Sequence, residues 1–107
     1  MLAPETQRVL GALADPTRVV ILDALAREPS GVVALSQALP ITRQGTAKHV
    51  AVLRAAGLVH GRRIGREALY EVQTEPLQRA VAQMASAVSA WDHQLRLLKR
   101  AAERPAE

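Results

Sequence analysis

The sequence predicts a mainly α fold with one small β-hairpin, in the order helix, helix, helix, helix, hairpin, long helix. Three observations carry that prediction. Apolar residues recur at helical spacing between Val9 and Leu53, and proline and glycine punctuate them. Beyond Gly57 the pattern shortens to two strand-like runs around Gly65. From Leu77 onward a single apolar seam repeats without a break. The chain has 107 residues, 49% hydrophobic and 22% charged, the size and composition of one ordered globular domain, here residues 1–107.

Residues 4–14 are expected to form the first helix, with Val9, Leu10 and Leu13 on its apolar side. Asp15-Pro16 then restarts the chain. Asp accepts from orphan amides as an N-cap, and proline at the first helical position loses only an N–H that had no partner. The second helix runs over residues 16–28 with Val19, Leu22, Leu25 and Ala26 inward, and Pro29-Ser30-Gly31 ends it. A third, short helix over residues 33–39 stops at Pro40. Thr42 caps a fourth over residues 43–56, which Gly57 closes. Residues 58–63 and 68–72 read as strands joined by Ile64-Gly65-Arg66-Glu67, where Gly65 is free to take positive φ. Thr74-Glu75-Pro76 opens a last helix over residues 76–103, about 42 Å long at ~1.5 Å per residue. Arg104-Pro105-Ala106-Glu107 is expected to fray.

Composition narrows the function classes. There is no cysteine, which removes disulfides, thiolate metal sites and cysteine nucleophiles together. Ser89, Asp92 and His93 fall within one turn of one helix, and side chains so placed do not make a nucleophile, base and orienter chain; no enzyme and no cofactor are expected. Trp91 and Tyr70 are the only aromatic residues, too few for base stacking on single strands. No apolar run approaches the ~18 residues of a membrane span. Met1-Leu2-Ala3-Pro4-Glu5 lacks the basic and then apolar regions of a secretory signal, so a cytoplasmic protein is expected.

The net charge is +4, but its distribution says more. Residues 29–66 contain no acid and six bases: Arg43, Lys48, Arg54, Arg62, Arg63 and Arg66. A basic surface confined to one segment is the footprint of a polyanion partner. The segment holds a pair of helices joined by Pro40-Ile41-Thr42, the length and tight connection of a helix-turn-helix. Thr46, Val50 and Leu53 share one face of its second helix and should pack on the domain. The opposite face carries Gln44, Ala47, Lys48 and Ala51, with Thr42 and Arg43 at the tip. Small and hydrogen-bonding side chains suit the major groove, where Gln pairs with adenine, Arg or Lys with guanine, and Ala touches a thymine methyl. Thr42 and the helix's first amides are placed for a phosphate. Gly45 costs about 1 kcal/mol against alanine in a helix and is read as allowing close approach to DNA or as tolerated near the end. Arg62, Arg63 and Arg66 make the hairpin tip cationic, for salt-sensitive contacts to backbone or minor groove.

These residues resemble the ArsR/SmtB winged helix-turn-helix regulators. The resemblance rests on Ala12-Leu13-Ala14-Asp15-Pro16-Thr17-Arg18 with Ile21-Leu22, and on Thr42-Arg43-Gln44-Gly45-Thr46-Ala47-Lys48-His49-Val50 followed by Val52-Leu53 and Ala56-Gly57-Leu58-Val59. Arg62-Arg63-Ile64-Gly65-Arg66-Glu67, Tyr70 and Pro76-Leu77 extend it over roughly residues 5–100. The resemblance implies a homodimeric repressor on an inverted-repeat operator in double-stranded DNA, with residues 33–56 as the helix-turn-helix and 58–72 as the wing. The positions that match the family's groove contacts are Arg43, Gln44, Ala47 and Lys48, and the reading of the residues themselves adds Thr42, Gly45, Arg62, Arg63 and Arg66 as expected DNA contacts. Many members sense metals through cysteines or through Asp and His sets on the last helix. Here that helix offers only the adjacent Asp92 and His93, so no metal site is expected.

The last helix carries Leu77, Val81, Met84, Val88, Trp91, Leu95, Leu98 and Ala102 at alternating spacings of four and three. Its length exceeds what the remaining domain can cover, so a partner surface is expected, most simply a second copy related by a two-fold axis. Residues 4–14 and 76–103 are then the dimerisation helices. Apolar pockets between the final helices would suit a small-molecule inducer, although no residue identifies one. The rival reading is a winged-helix adaptor whose hairpin or recognition face binds protein. The acid-free block favours DNA.

Overall fold

The computed structural model describes residues 2–105. Its elements are α1 (Pro4–Leu13), α2 (Pro16–Arg27), α3 (Val32–Ala38), α4 (Arg43–Ala55), β1 (Val59–Ile64), β2 (Glu67–Val72) and α5 (Glu75–Glu103). This is the expected order. Of the tail expected to fray, Ala106 and Glu107 lie outside the described residues. Among the described residues, no helix is long and apolar enough to cross a membrane.

The corner between α1 and α2 is built from Asp15, Pro16 and Arg18. One carboxylate oxygen of Asp15 accepts from the amides of Thr17 and Arg18, at 2.8 and 3.3 Å. Partial burial raises the Asp15 pKa, but the amide bonds and the Arg18 charge outweigh it and hold the carboxyl below its ordinary value. Arg18 then turns back on α1. Its Nε donates to the Ala12 carbonyl at 2.6 Å and its Nη2 to the Gly11 carbonyl at 3.1 Å, satisfying carbonyls that a helix end leaves open.

The core gathers Val9, Ala12, Ile21, Leu25, Leu35, Val50, Leu53, Ala56, Leu58, Val59 and Ala80. It takes one residue or more from every helix, which fixes α4 in position. On α2 the inward stripe differs from the expectation: Ile21 and Leu25 are buried and Leu22 half-buried, while Val19 and Ala26 are exposed. On α1, Val9 and Ala12 are buried and Leu10 lies outside.

The C-terminus of α4 is closed by a Schellman motif. Gly57 sits at φ +78°, its amide donates to the Arg54 carbonyl at 2.9 Å, and the Leu58 amide reaches the Leu53 carbonyl at 3.0 Å. The chain leaves directly into the hairpin. β1 and β2 pair antiparallel from Val59↔Val72 to Ile64↔Glu67, so both strands extend further toward the turn than expected and only Gly65 and Arg66 form the loop. Gly65 has φ +65° and no non-glycine residue is positive among those described, the pattern of a type II′ turn. Ser30, part of the Pro29-Ser30-Gly31 stop after α2, adds a third edge: its amide donates to the Tyr70 carbonyl and the Tyr70 amide to the Ser30 carbonyl, at 3.2 and 2.9 Å. The wing is thereby tied to the start of α3.

α5 begins against the core through Pro76 and Ala80 and runs beside α1. Arg79 grips Glu5 with two bonds, Nε to Oε1 at 2.7 Å and Nη2 to Oε2 at 3.1 Å. That hydrogen bond holds the Glu5 carboxyl below its usual range. The Ala3 amide donates to Gln83 Oε1 at 2.6 Å. Past Val88 the helix leaves the domain, and the molecule measures 76 × 25 × 21 Å.

Candidate nucleic-acid interface

α4 presents two faces set by its sequence period. Thr46, Val50 and Leu53 are buried against the core, as their spacing predicts. Thr42, Arg43, Gln44, Ala47, Lys48 and Ala51 are all exposed and lie on the other side. Thr42 is the N-cap, with its Oγ1 accepting from the Gly45 amide at 2.9 Å. The hydroxyl oxygen is therefore committed to the helix, which leaves its hydrogen to donate outward. Thr46 Oγ1 donates to the Thr42 carbonyl at 2.8 Å and rigidifies the same turn. Gly45 has a local reason to be glycine that neither sequence reading contained: a Cβ there would lie 3.0 Å from Thr42 Oγ1 and press on the cap.

α4 is also braced from behind. His49 Nδ1 lies 3.4 Å from Arg18 Nη1, so the α1–α2 corner touches α4. In the sequence Arg18 is only part of the Ala12–Arg18 signature; its side-chain partners, the Gly11 and Ala12 carbonyls, the Asp15 carboxylate and His49, come together only when the helices are in place.

The three wing arginines do not form one cluster. Successive strand residues point to opposite faces, so Arg62 and Arg63 diverge. Arg62 Nε is 3.6 Å from Glu71 Oε1, and His60 Nε2 shares that oxygen at 3.2 Å. Arg63 lies on the face of Gly61 and Tyr70, and Arg66 occupies the turn; all three arginines are exposed. Gly61 is required by its neighbour, since a Cβ there would meet the Tyr70 ring at 2.8 Å. The ring thus lies across the hairpin on the side facing α3.

Two surface grooves adjoin these elements. One, of about 380 Å³, lies between α3 and the wing and is lined by Gly31, Gln37, Arg66 and Tyr70 among others. The second, shallower and about 720 Å³, lies between α3 and the tip of α4. On α5, the seam residues Val81, Val88, Trp91, Leu95 and Leu98 are exposed, from 48% for Trp91 to 66% for Leu98, whereas Leu77 and Met84 are half-buried. The helix is not folded back over its own seam. Asp92 pairs with Arg96 one turn on. Among the described residues, no three His, Asp or Glu side chains converge as a metal site.

The helix-turn-helix domain family matches residues 13–62. The chain resembles an ArsR-like transcriptional regulator from Rhodococcus sp. RHA1 with a TM-score of 0.81 and 35% identity, covering 94% of this chain and 95% of that one. It is also similar to the homodimeric winged helix-turn-helix DNA-binding domain Mb0332 of Mycobacterium bovis, a possible ArsR-family regulator. There the TM-score is 0.65 at 27% identity over 78% of each chain. The HTH-type transcriptional repressor SmtB of Mycobacterium tuberculosis is 37% identical over 73 residues, 68% of this chain and 54% of that protein. The chain spans between 53% and 61% of the length of several curated relatives that it matches.

Proposed function

Because this chain belongs to the ArsR/SmtB family of winged helix-turn-helix proteins, we propose that it is a homodimeric transcriptional repressor that reads an inverted-repeat operator through α4. The observation that carries this reading is the outward face of α4. Six exposed residues, Thr42, Arg43, Gln44, Ala47, Lys48 and Ala51, form a surface without an acid or a bulky apolar side chain, on a segment that is free of acids from 29 to 66. Such a face can enter a major groove, hydrogen-bond base edges and neutralise phosphates. The exposed α5 seam supplies the second half of the proposal. Two copies paired through it would set two α4 helices on successive major grooves, about 34 Å apart. A cytoplasmic, non-enzymatic protein follows from that role. Homodimerisation is also what the Mycobacterium bovis neighbour is described as having.

Fluorescence anisotropy on DNA from upstream of the protein's own gene, against a scrambled duplex at about 150 mM salt, tests it. Sequence-specific binders prefer their site by about 10³-fold or more. Equal and steeply salt-dependent affinity for both duplexes would reduce the site to a basic patch. No binding to either would favour the winged-helix adaptor that binds protein.

The two ends of the interface should respond differently. Arg43→Ala and Lys48→Ala are each expected to weaken operator binding by about 1–3 kcal/mol, and unchanged affinity in both would remove α4 from the groove. Arg66→Ala, at the turn of the wing, should instead lower affinity for all sequences and reduce the slope of log K against log salt by about 1.8, one phosphate contact from each protomer of the dimer. An effect confined to one operator position would mean that the wing reads a base.

A further inference from the structure

The groove between α3 and α4 brings apolar residues of both helices to the surface. Its walls are Val32 and Val33 from the first turn of α3 and Ala47 from α4, with Thr42, Arg43 and Gln44 at its rim. Val33 is 41% exposed and Ala47 is exposed, so two apolar side chains from different helices line one open groove that adjoins the α4 face proposed for DNA. Val33 lies in this groove next to the polar and cationic Thr42, Arg43 and Gln44. It is not part of the buried core, and the side chain leaves apolar area in water. We propose that Val33 and Ala47 form a socket for the C5-methyl group of a thymine, so that the operator is read at one base by apolar contact beside the hydrogen bonds of Arg43 and Gln44.

The occupant follows from the rim. Arg43 and the acid-free segment around it demand a polyanion. Of the groups that duplex DNA shows in its major groove, only the thymine methyl is apolar. Gln44 on the same rim has the donor and acceptor pair that fits adenine N6 and N7, so an A·T pair satisfies rim and socket together. A protein partner would need a bulky apolar side chain to fill the open groove and an acid to meet Arg43. This inference rests on the DNA-binding reading.

The test acts first on the DNA, where it cannot disturb the protein's fold. The full chain is used to select its site from randomised duplexes, and each thymine of that site is then replaced by deoxyuridine, which removes only the methyl. One thymine in each half-site should respond, by about fourfold, the worth of burying one methyl group, and by roughly 15-fold when both half-sites are changed, if the two contacts are additive. In Val33→Ala the thymine and deoxyuridine sites should bind alike, with the salt slope unchanged. Val33→Thr, which keeps the branched shape and replaces one methyl by a hydroxyl, should lose most of the discrimination and provides a second variant. Selection of a site with no deoxyuridine-sensitive thymine overturns the socket and leaves the DNA-binding reading standing. A sensitive thymine whose effect persists in Val33→Ala assigns the contact to Ala47 alone or to another residue. Failure to select any site overturns both readings.

Discussion

Val88→Glu is expected to convert the protein to monomers in sedimentation velocity and to lower its affinity for an operator by about 10²–10⁴-fold, the range gained by linking two binding units. Val88 is 55% exposed and lies outside the buried core, so the domain itself should fold normally. The cost arises only on association. In a two-fold interface each copy would bring its carboxylate into the same apolar seam, and an unpaired charge there is strongly disfavoured. The loss of affinity should be accompanied by a shallower salt dependence, because each monomer reaches half the phosphates. A dimer that survives this change would place the interface elsewhere, with the outer side of α1 around Leu10 as the next surface to alter. Monomers that still bind an inverted repeat as tightly would separate recognition from dimerisation.

The elements that the sequence predicts well are those where a local rule and the global fold agree. Thr42 caps α4, Thr46, Val50 and Leu53 face the core, and Gly57 ends the helix with positive φ, because each residue has one strongly preferred role at its position. The face of α2 was not legible in the same way. Val19, Val20, Ile21 and Leu22 are consecutive and apolar, so no polar residue marks which of them turns outward. Packing against the other helices selects Ile21 and leaves Val19 exposed. Other features depend on pairs distant in sequence: Ser30 with Tyr70, Arg18 with His49, and Gly61 with the Tyr70 ring. Single-sequence periodicity carries no signal for those. The interface shows the same division. Helical spacing was enough to put Gln44, Ala47 and Lys48 on the exposed face of α4, but the divergence of Arg62 and Arg63 follows from strand register, and the meeting of Val33 and Ala47 in one groove follows from how α3 packs on α4.

Leu53→Ala is expected to remove about 2–5 kcal/mol of folding free energy, the range for truncating a buried leucine. That is a large share of the 5–15 kcal/mol that holds a typical domain. Leu53 is fully buried in the cluster that joins α1, α2, α3, α4, β1 and α5, so the hole would open where these six elements meet. Its carbonyl also accepts from Leu58 in the turn that leads to the wing, and any settling of the α4 backbone would be passed to the hairpin. At matched protein concentration, which must be fixed because association adds to apparent stability, the melting temperature should fall by roughly 10–30 °C. The readout that separates scaffold from interface is affinity per folded molecule, measured well below the transition. If Leu53 only holds α4 in place, operator affinity corrected for the folded fraction should stay within about twofold, in contrast to the roughly 5- to 150-fold loss expected for Arg43→Ala. A stability loss under 1 kcal/mol would mean that α4 is not anchored by this cluster. A full stability loss accompanied by weaker binding per folded molecule would mean that the contacts of α4 with DNA depend on its exact seat against the core.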